Sequence, residues 1–200
     1  MSETISTITL DIQRDATNYP LAGVIQKVLI IPGAELDPKA DITSSTESLI
    51  TDIVPSAAAH VIEGFGDKRG TNSGIKYRAP FTPSTSTRPG YRHVIENIPI
   101  LDPSVETREN LKDLAVGGGI VYALVQRKWE GTNREDAFLF FGYDCGMVVQ
   151  AYEEDSDANE GVLMISLATP EGITESLPPK VYLNTNFATT EGDVWTSKLA

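Results

Sequence analysis

Reactive and metal-binding side chains are scarce in this chain of 200 residues. There is one cysteine, Cys145, and there are two histidines, His60 and His93. A single cysteine excludes an intramolecular disulfide, and so few ligands do not make a Cys/His zinc cluster. A chain of this length buries roughly 70% of its unfolded surface, so its core needs no disulfide. We therefore expect a protein made in a reducing, cytosolic environment.

Long apolar runs and basic residues are also scarce. Nowhere do about 18 apolar residues run together, and residues 1–8 lack the basic and apolar regions of a signal peptide. We expect a soluble protein that is neither membrane-spanning nor secreted by that route. The chain carries 28 acidic and 16 basic residues, a formal net charge of −12. This balance argues against nucleic-acid binding over most of the surface, and solubility is its simplest explanation.

Catalytic motifs are missing as well. The sequence has no Gly-x-Ser-x-Gly elbow, no phosphate-binding loop, no dinucleotide fingerprint and no His-Glu-x-x-His. Cys145 could pair with a histidine, but a lone cysteine is more often a small apolar residue. The acidic residues 153–160 depart from a calcium loop at the required glycine and glutamate, which favours a solvated loop over a divalent-cation site. We predict no enzyme activity, no cofactor and no metal site.

Strand signals dominate what is present. Ile8, Leu10 and Ile12 alternate with polar residues, as on a half-buried strand. The apolar run 24–31 ends at the turn signal Pro32-Gly33. Weaker strand candidates are residues 48–54, 58–65 and 91–98. The sequence predicts a mainly β protein, an antiparallel β-sandwich or barrel.

One α-helix is predicted at about residues 103–116. Asp102 is a capping residue, Pro103 fits the first helical position, and glycines from Gly117 onward stop the helix. We expect the helix to lie against a sheet through one apolar face. The residues of that face are Leu111, Leu114 and Ala115, with Val105 near it.

A four-stranded meander is predicted between residues 120 and 169. Its strands would be residues 120–129, 137–143, 147–152 and 161–169. The densest apolar run of the chain, residues 137–149, is then two core strands joined by a tight reversal at Asp144-Cys145-Gly146. In that arrangement Cys145 is a turn residue and not a nucleophile.

Residues 64–92 have the composition of a long loop or arm, since glycine, proline, serine and threonine are frequent. From Lys68 to Arg92 the segment contains six basic residues and no acidic one. The basic residues are Lys68, Arg69, Lys76, Arg78, Arg88 and Arg92. Three interpretations remain open: a solvated surface loop, an arm that docks on the acidic surface of a neighbouring copy, and a nucleic-acid arm using Tyr77, Phe81 and Tyr91.

The order of elements in the second half resembles the major tail tube proteins of tailed bacteriophages. The resemblance rests on residues 108–115, then 121–126, then the Phe-Gly-x-x-x-Gly hairpin within 137–149, then 159–167. It covers about residues 105–185, and residues 1–104 do not align with the family pattern. Family members are β-sandwiches with a flanking helix that stack as hexameric rings around a channel for DNA.

The resemblance implies a structural virion protein, assembled in the host cytoplasm, that forms a tube for DNA ejection. Residues 1–200 would be one tail-tube-like β domain with a protruding arm, and Lys76, Arg78, Arg88 and Arg92 would belong to the subunit interface. Partners would be further copies of the chain, other tail proteins and DNA passing without sequence-specific binding, with no membrane. An acidic lumen would repel the DNA backbone.

Two other functions are considered. A monomeric β-sandwich that decorates a virion or acts as an adaptor is the main alternative. An enzyme is the third, and it needs a site that the sequence does not display.

Overall fold

The computed structural model of this protein describes residues 19–57, 60–63, 74–83, 89–100, 104–154 and 162–197. The strands are β1 (Tyr19–Pro32), β2 (Ile42–Ser44), β3 (Leu49–Ile53), β4 (His60–Glu63), β5 (Lys76–Arg78), β6 (Phe81–Thr82), β7 (Gly90–Tyr91), β8 (Val94–Ile100), β9 (Val121–Glu130), β10 (Phe138–Phe141), β11 (Val148–Glu154), β12 (Leu163–Ala168) and β13 (Lys180–Tyr182). The helices are α1 (Val105–Val116) and α2 (Phe187–Gly192), which continues into a π-helical turn, Asp193–Ser197. The predicted mainly β fold is confirmed.

These strands form three sheets. The seven-stranded sheet has the order β2-β3-β13-β10-β9-β1-β4, the four-stranded sheet has the order β11-β12-β8-β5, and β6 pairs with β7. Pairing is antiparallel except between β3 and β13, which are parallel. The described strands are therefore mostly, but not wholly, antiparallel.

The seven-stranded sheet lies between two hydrophobic clusters. Leu139 and Phe141 of β10 belong to the cluster shared with the four-stranded sheet, which we call the first core. Phe138 and Phe140 point to the other face and pack in the second core, with Leu36, Val194 and partly buried Trp195. Because both faces of β10 are covered, its sequence is continuously apolar rather than alternating.

The predicted four-stranded meander is wrong. β9 pairs with β10 in the seven-stranded sheet, and β11 pairs with β12 in the four-stranded sheet. Residues 142–147 therefore cross from one sheet to the other instead of closing a hairpin.

Glycine is required at both ends of this crossover turn. Gly142 and Gly146 have φ of 86° and 70°, in the left-handed region that other residues rarely adopt. A Cβ at Gly146 would lie 2.1 Å from Cγ2 of Ile120. The turn therefore has both a special backbone conformation and close packing.

Helix α1 ends at Val116, as predicted, but its described part begins at Val105. Asp102 and Pro103 lie outside the described residues. Ser104 Oγ accepts a hydrogen bond from the Thr107 N–H at 3.3 Å, so serine acts as the cap. Leu111 and Leu114 pack against the first core.

Two details of the helix prediction are wrong. Val105 is 72% exposed, so it does not belong to the buried face. The C-terminal helical segment was not predicted. It is held by an N-cap, because Asn186 Oδ1 accepts from the Thr189 N–H at 2.9 Å, and by Phe187 and Trp195, which contact Phe138.

The remaining strand predictions have mixed outcomes. The run 24–31 lies within β1, and the three weaker candidates overlap β3, β4 and β8. The prediction for residues 8–12 lies outside the described residues. The loop predicted at 64–92 is wrong where its described residues form β5, β6 and β7, because Ile75 is buried and Tyr77 packs on the first core.

Candidate functional site

The four-stranded sheet ends on β5 and β11, and each of these strands pairs with one neighbour among the described strands. Its inner face is marked by Ile165 and Leu167, which belong to the first core. Residues directly opposite each other on neighbouring strands have side chains on the same face of the sheet. The strand register therefore identifies the residues on the other, outer face. The outer-face residues are Lys76, Arg78, Val94, Glu96, Pro99, Val148, Ala151, Glu153, Met164, Ser166 and Ala168.

Lys76 and Arg78, two of the predicted interface residues, lie on this outer face. Both are exposed, and Arg78 Nη2 forms an ion pair with Glu96 Oε1 at 2.8 Å. Tyr77 between them points inward, with its ring 5.5 Å from that of Phe141. The structure thus brings Lys76 and Arg78 to one strand edge and separates Tyr77 from them.

The other predicted interface residues are placed differently. Arg92 is exposed just beyond β7, and its N–H donates to the Pro80 carbonyl at 3.0 Å. Arg88 lies outside the described residues. Phe81 and Tyr91 contact each other at 5.2 Å, and the Phe81 side chain is 53% exposed. Of the three aromatic residues considered for nucleic-acid stacking, Tyr77 therefore faces the core.

The opposite edge, β11, is tied to α1. Arg108 donates two hydrogen bonds to the Glu154 carboxylate, at 2.6 and 2.8 Å. This arrangement holds the pKa of Glu154 below its usual range and raises that of Arg108. The pair fixes α1 beside the end of β11, although both side chains are partly exposed.

Two β-bulges flank the central strand β12 at the same level. Gln150 is the extra residue of β11 between the pairs Val149–Leu167 and Ala151–Ser166. On the other side, two residues of β8, including Asn97 with φ of 60°, face Ser166. Bulges bend a strand and increase its twist. The four-stranded sheet is therefore bent at Ser166.

A polar cluster around the buried residues His93 and Glu175, which we call the joint, holds the crossover turn. It consists of His93, Gly142, Asp144, Cys145, Glu175 and Leu177. Glu175 is 1% exposed and accepts from the N–H groups of Asp144 and Cys145, at 2.8 and 3.2 Å, and from the Cys145 thiol at 3.0 Å. Asp144 in turn accepts from the Ser176 N–H at 2.7 Å.

His93 connects the joint to the start of β8. It is 1% exposed, accepts from the Gly142 N–H at Nδ1 over 3.2 Å, and lies 3.1 Å from the Leu177 carbonyl at Nε2. Burial lowers the pKa of His93 to about 4, although the hydrogen bond to Leu177 and the charge of Asp144 act in the opposite direction. His93 is therefore neutral at pH 7.

Burial also shifts the pKa values of Cys145 and Glu175 in the joint and of the neighbouring Lys180. Desolvation, followed by the adjacent Glu175, raises the pKa of the Cys145 thiol. Desolvation also raises the pKa of Glu175 against its hydrogen bonds, and lowers that of Lys180, whose Nζ lies 3.4 Å from the Tyr143 ring centroid. A thiol held in its protonated form is a poor nucleophile, which agrees with the turn role predicted for Cys145.

Sequence reasoning found the turn at Asp144-Cys145-Gly146 but not the joint. His93 and Glu175 come from distant parts of the chain, and neither stands in a recognisable motif. The local sequence around each residue carries no signal that reveals which of them meet.

The described ranges contain no group of three or more His, Cys, Asp and Glu side chains arranged to hold a metal ion. The acidic segment 155–160, considered above for a divalent cation, lies outside them. In the described part of the chain, no helix has the length and apolar character needed to cross a membrane.

Comparison with known proteins identifies no relative: no family model, no curated protein and no solved structure matches this chain. The functional assignment must therefore rest on the residues and geometry described above.

Proposed function

We propose that this chain is a structural protein that assembles with copies of itself, as the tail tube of a tailed bacteriophage does. In this proposal the copies form stacked rings, hexameric by the resemblance, that guide DNA during ejection without catalysis. The observation that carries the proposal is the four-stranded sheet, which has one face on the core and ends on β5 and β11 among the described strands.

Strand direction supports edge-to-edge assembly. β5, β8, β12 and β11 alternate in direction, so β5 and β11 run opposite to each other. Pairing β5 of one copy with β11 of the next therefore continues the antiparallel pattern. Such pairing satisfies edge N–H and C=O groups that otherwise invite uncontrolled aggregation.

Sheet curvature supports closure into a ring. A flat sheet does not close on itself, whereas bulges bend it and are frequent at barrel rims. The bulges at Gln150 and Asn97 lie on both sides of Ser166. Repeated in every copy, the same bend would recur regularly around a closed sheet.

The charges of the outer face refine the proposal. Its charged residues are Lys76, Arg78, Glu96 and Glu153, two of each sign. If this face lines the channel, its described part is mixed rather than acidic. DNA passage would then depend on the absence of a continuous basic track, not on net repulsion.

An acidic surface for the proposed basic arm is present elsewhere. Residues 33–57 contain five acidic side chains and one basic, Lys39. We place this segment against Lys76, Arg78, Arg88 and Arg92 of a neighbouring copy, because opposite charges guide orientation at an interface.

The first test is negative-stain electron microscopy of the purified protein over a concentration series. Rings or tubes with a central channel are the expected result. Because tube subunits can await an initiating complex, a sample that stays as small particles is seeded with tail tips. Small particles in both samples would reject self-assembly and favour the monomeric decoration or adaptor protein.

A cysteine cross-link tests the proposed edges directly. Lys76→Cys and Glu153→Cys, combined in a Cys145→Ser background, place thiols on the outer face at opposite edges. Oxidation of the assembled protein should give a ladder of multimers. The matched control replaces Glu153→Cys by Lys112→Cys on the exposed side of α1. Equal ladders in both variants would contradict pairing through β5 and β11.

The basic arm is tested separately. Reversing Arg78, Arg88 and Arg92 together to glutamate should block stacking of rings while leaving the monomer folded. Tubes formed as readily as by the wild type would remove the arm from the proposal without removing the edge pairing.

A further inference from the structure

One imidazole ring joins the end of β10 to the start of β8. His93 Nδ1 lies 3.2 Å from the Gly142 nitrogen, and Nε2 lies 3.1 Å from the Leu177 oxygen. A backbone N–H only donates, so Nδ1 must be the unprotonated, accepting nitrogen. The neutral ring therefore carries its proton on Nε2 and donates to Leu177.

A second proton changes this arrangement. The only free position on the ring is Nδ1, so protonation puts two donors, Nδ1–H and the Gly142 N–H, opposite each other. It also places a positive charge on a side chain that is 1% exposed. Both effects destabilise the arrangement in which His93 accepts a hydrogen bond from Gly142, which we call the closed joint.

We propose that His93 is a pH-dependent link between the two larger sheets. Protonation at Nδ1 releases Gly142 and loosens the attachment between these sheets, while the strands within each sheet stay paired. This inference goes beyond self-assembly and does not depend on it. The joint would make the relative position of the sheets sensitive to acid.

Backbone contacts explain why the release is local. The His93 N–H donates to Thr169 Oγ1, and the Thr169 N–H donates to the His93 carbonyl, both at 2.9 Å. At the far end of the turn, Met147 and Val121 exchange two hydrogen bonds, at 2.8 and 2.9 Å. None of the donor and acceptor groups in these four hydrogen bonds gains or loses a proton in acid. The turn is therefore fixed at Met147 and releasable at Gly142.

The other titratable groups around the joint act differently. The charge of Asp144 raises the pKa of His93 and so opposes burial. The pKa of Glu175 is raised, so its protonation in acid stabilises the closed joint. This effect is opposite to that of His93 protonation. Lys180, on β13, stays charged in acid, and Cys145 and Tyr122 stay neutral because their pKa values are raised. Among His93, Glu175, Lys180, Cys145 and Tyr122, only His93 drives opening as the pH falls.

The first measurement is a nuclear magnetic resonance titration of the histidine rings from about pH 7.5 to about pH 3.5, a range that spans the ordinary and shifted values. His60, the other histidine, serves as the internal reference. The His93 ring should titrate near pH 4 and show the Nε2–H tautomer above that pH. A ring that titrates near its ordinary value of 6.5 would overturn the proposal.

Amide hydrogen exchange then reports opening. After correction for intrinsic rates, exchange at Gly142 should rise about tenfold per pH unit between 6.5 and about 4. Amides of the central strand β9 should stay protected over this range. Constant protection of the Gly142 amide would overturn the proposal. Simultaneous loss of amide protection in β9 would also overturn it, because such a loss indicates global unfolding.

A substitution isolates the ring. In His93→Asn the side-chain oxygen can accept from Gly142 at every pH in this range, so the acid dependence of exchange at Gly142 should disappear. Arg92→Asn, at the exposed neighbouring position, is the matched control and should keep it. Acid dependence that persists in His93→Asn would overturn the proposal. If that variant does not fold, the wild-type titration and exchange still decide.

Discussion

The two larger sheets bury their strands in different ways. β10, near the middle of the seven-stranded sheet, is buried along its whole length because hydrophobic clusters cover both faces. β11, at the edge of the four-stranded sheet, contributes Val149 to the first core but exposes residues 152–154. β10 therefore serves as a core strand, whereas β11 can offer an edge to another chain.

This difference predicts where the protein tolerates amino-acid substitutions. Substitutions on β10 disturb packing on at least one side, whereas those at the exposed positions of the outer face of the four-stranded sheet, Lys76, Arg78 and Glu153, disturb little packing. Effects on stability should therefore separate from effects on assembly.

The largest effect is expected at Phe140. Its fully buried ring stacks on Tyr122 at 5.9 Å in the second core. Phe140→Ala should lower the free energy of unfolding by about 3–5 kcal/mol, because it leaves a cavity. Ser166→Ala, on the outer face of the other sheet, should change it by no more than about 0.5 kcal/mol. Urea unfolding measures both, and similar losses would contradict the proposed contrast between sheets.

Acid should destabilise the contact between the sheets through His93. Its pKa is about 4 in the folded protein, whereas the ordinary value for histidine is 6.5. Between these two pH values the unfolded chain therefore binds more protons than the folded protein. The contribution of His93 is complete above pH 6.5 and is lost as the pH falls to about 4. The loss is roughly 3 kcal/mol at 1.36 kcal/mol per pH unit.

Comparing wild type with His93→Asn removes the contributions of other groups, including Glu175, whose raised pKa gives a slope of opposite sign. The stability difference between the two proteins, from urea unfolding at each pH, should shift by this amount between pH 7 and pH 4. A difference independent of pH would contradict the assignment.

The crossover turn should be sensitive to size as well as to backbone conformation. Gly146 and Gly172 have φ of 70° and 78°, but only an added Cβ at Gly146 meets a neighbour, Ile120. Both Gly146→Ala and Gly172→Ala carry the left-handed backbone cost. Gly146→Ala should cost about 2 kcal/mol more, because it also overpacks the turn. Equal losses of stability for the two variants, measured by thermal unfolding, would show that Ile120 moves aside at little cost.

Parts of the fold could be predicted from local sequence. β1 was recognisable from its apolar run and the turn at Pro32-Gly33, and the end of α1 from Gly117. These signals work because propensity and the nearest neighbours decide the conformation. The run Phe138–Phe141 likewise indicated a buried strand.

The connection after β10 could not be predicted in the same way. A Gly-x-x-x-Gly turn between apolar runs fits a hairpin as well as a crossover. What decides is the contact of Gly142 with His93 and of Cys145 with Glu175, both distant in the sequence. Similarly, charge pattern pointed to Arg78 but did not reveal Glu96 as its partner.

The smallest effect is expected for the ion pair of Arg78 and Glu96. The Arg78 side chain is 60% exposed and that of Glu96 35%, so water and salt screen their attraction. A double-mutant cycle of Arg78→Ala and Glu96→Ala should give a coupling of roughly 0.2–1 kcal/mol that declines at high salt. Arg92→Ala, paired with Glu96→Ala, is the control and should show no coupling.

The same variants separate stability from assembly. Glu96→Ala leaves Arg78 without its partner within the chain, so it should strengthen association if Arg78 binds the acidic segment of another copy. Sedimentation at several concentrations measures this association. Arg78→Ala should weaken it while hardly changing the unfolding free energy. If Arg78→Ala alters stability and association in proportion, Arg78 acts through the fold of the sheet and not through an interface.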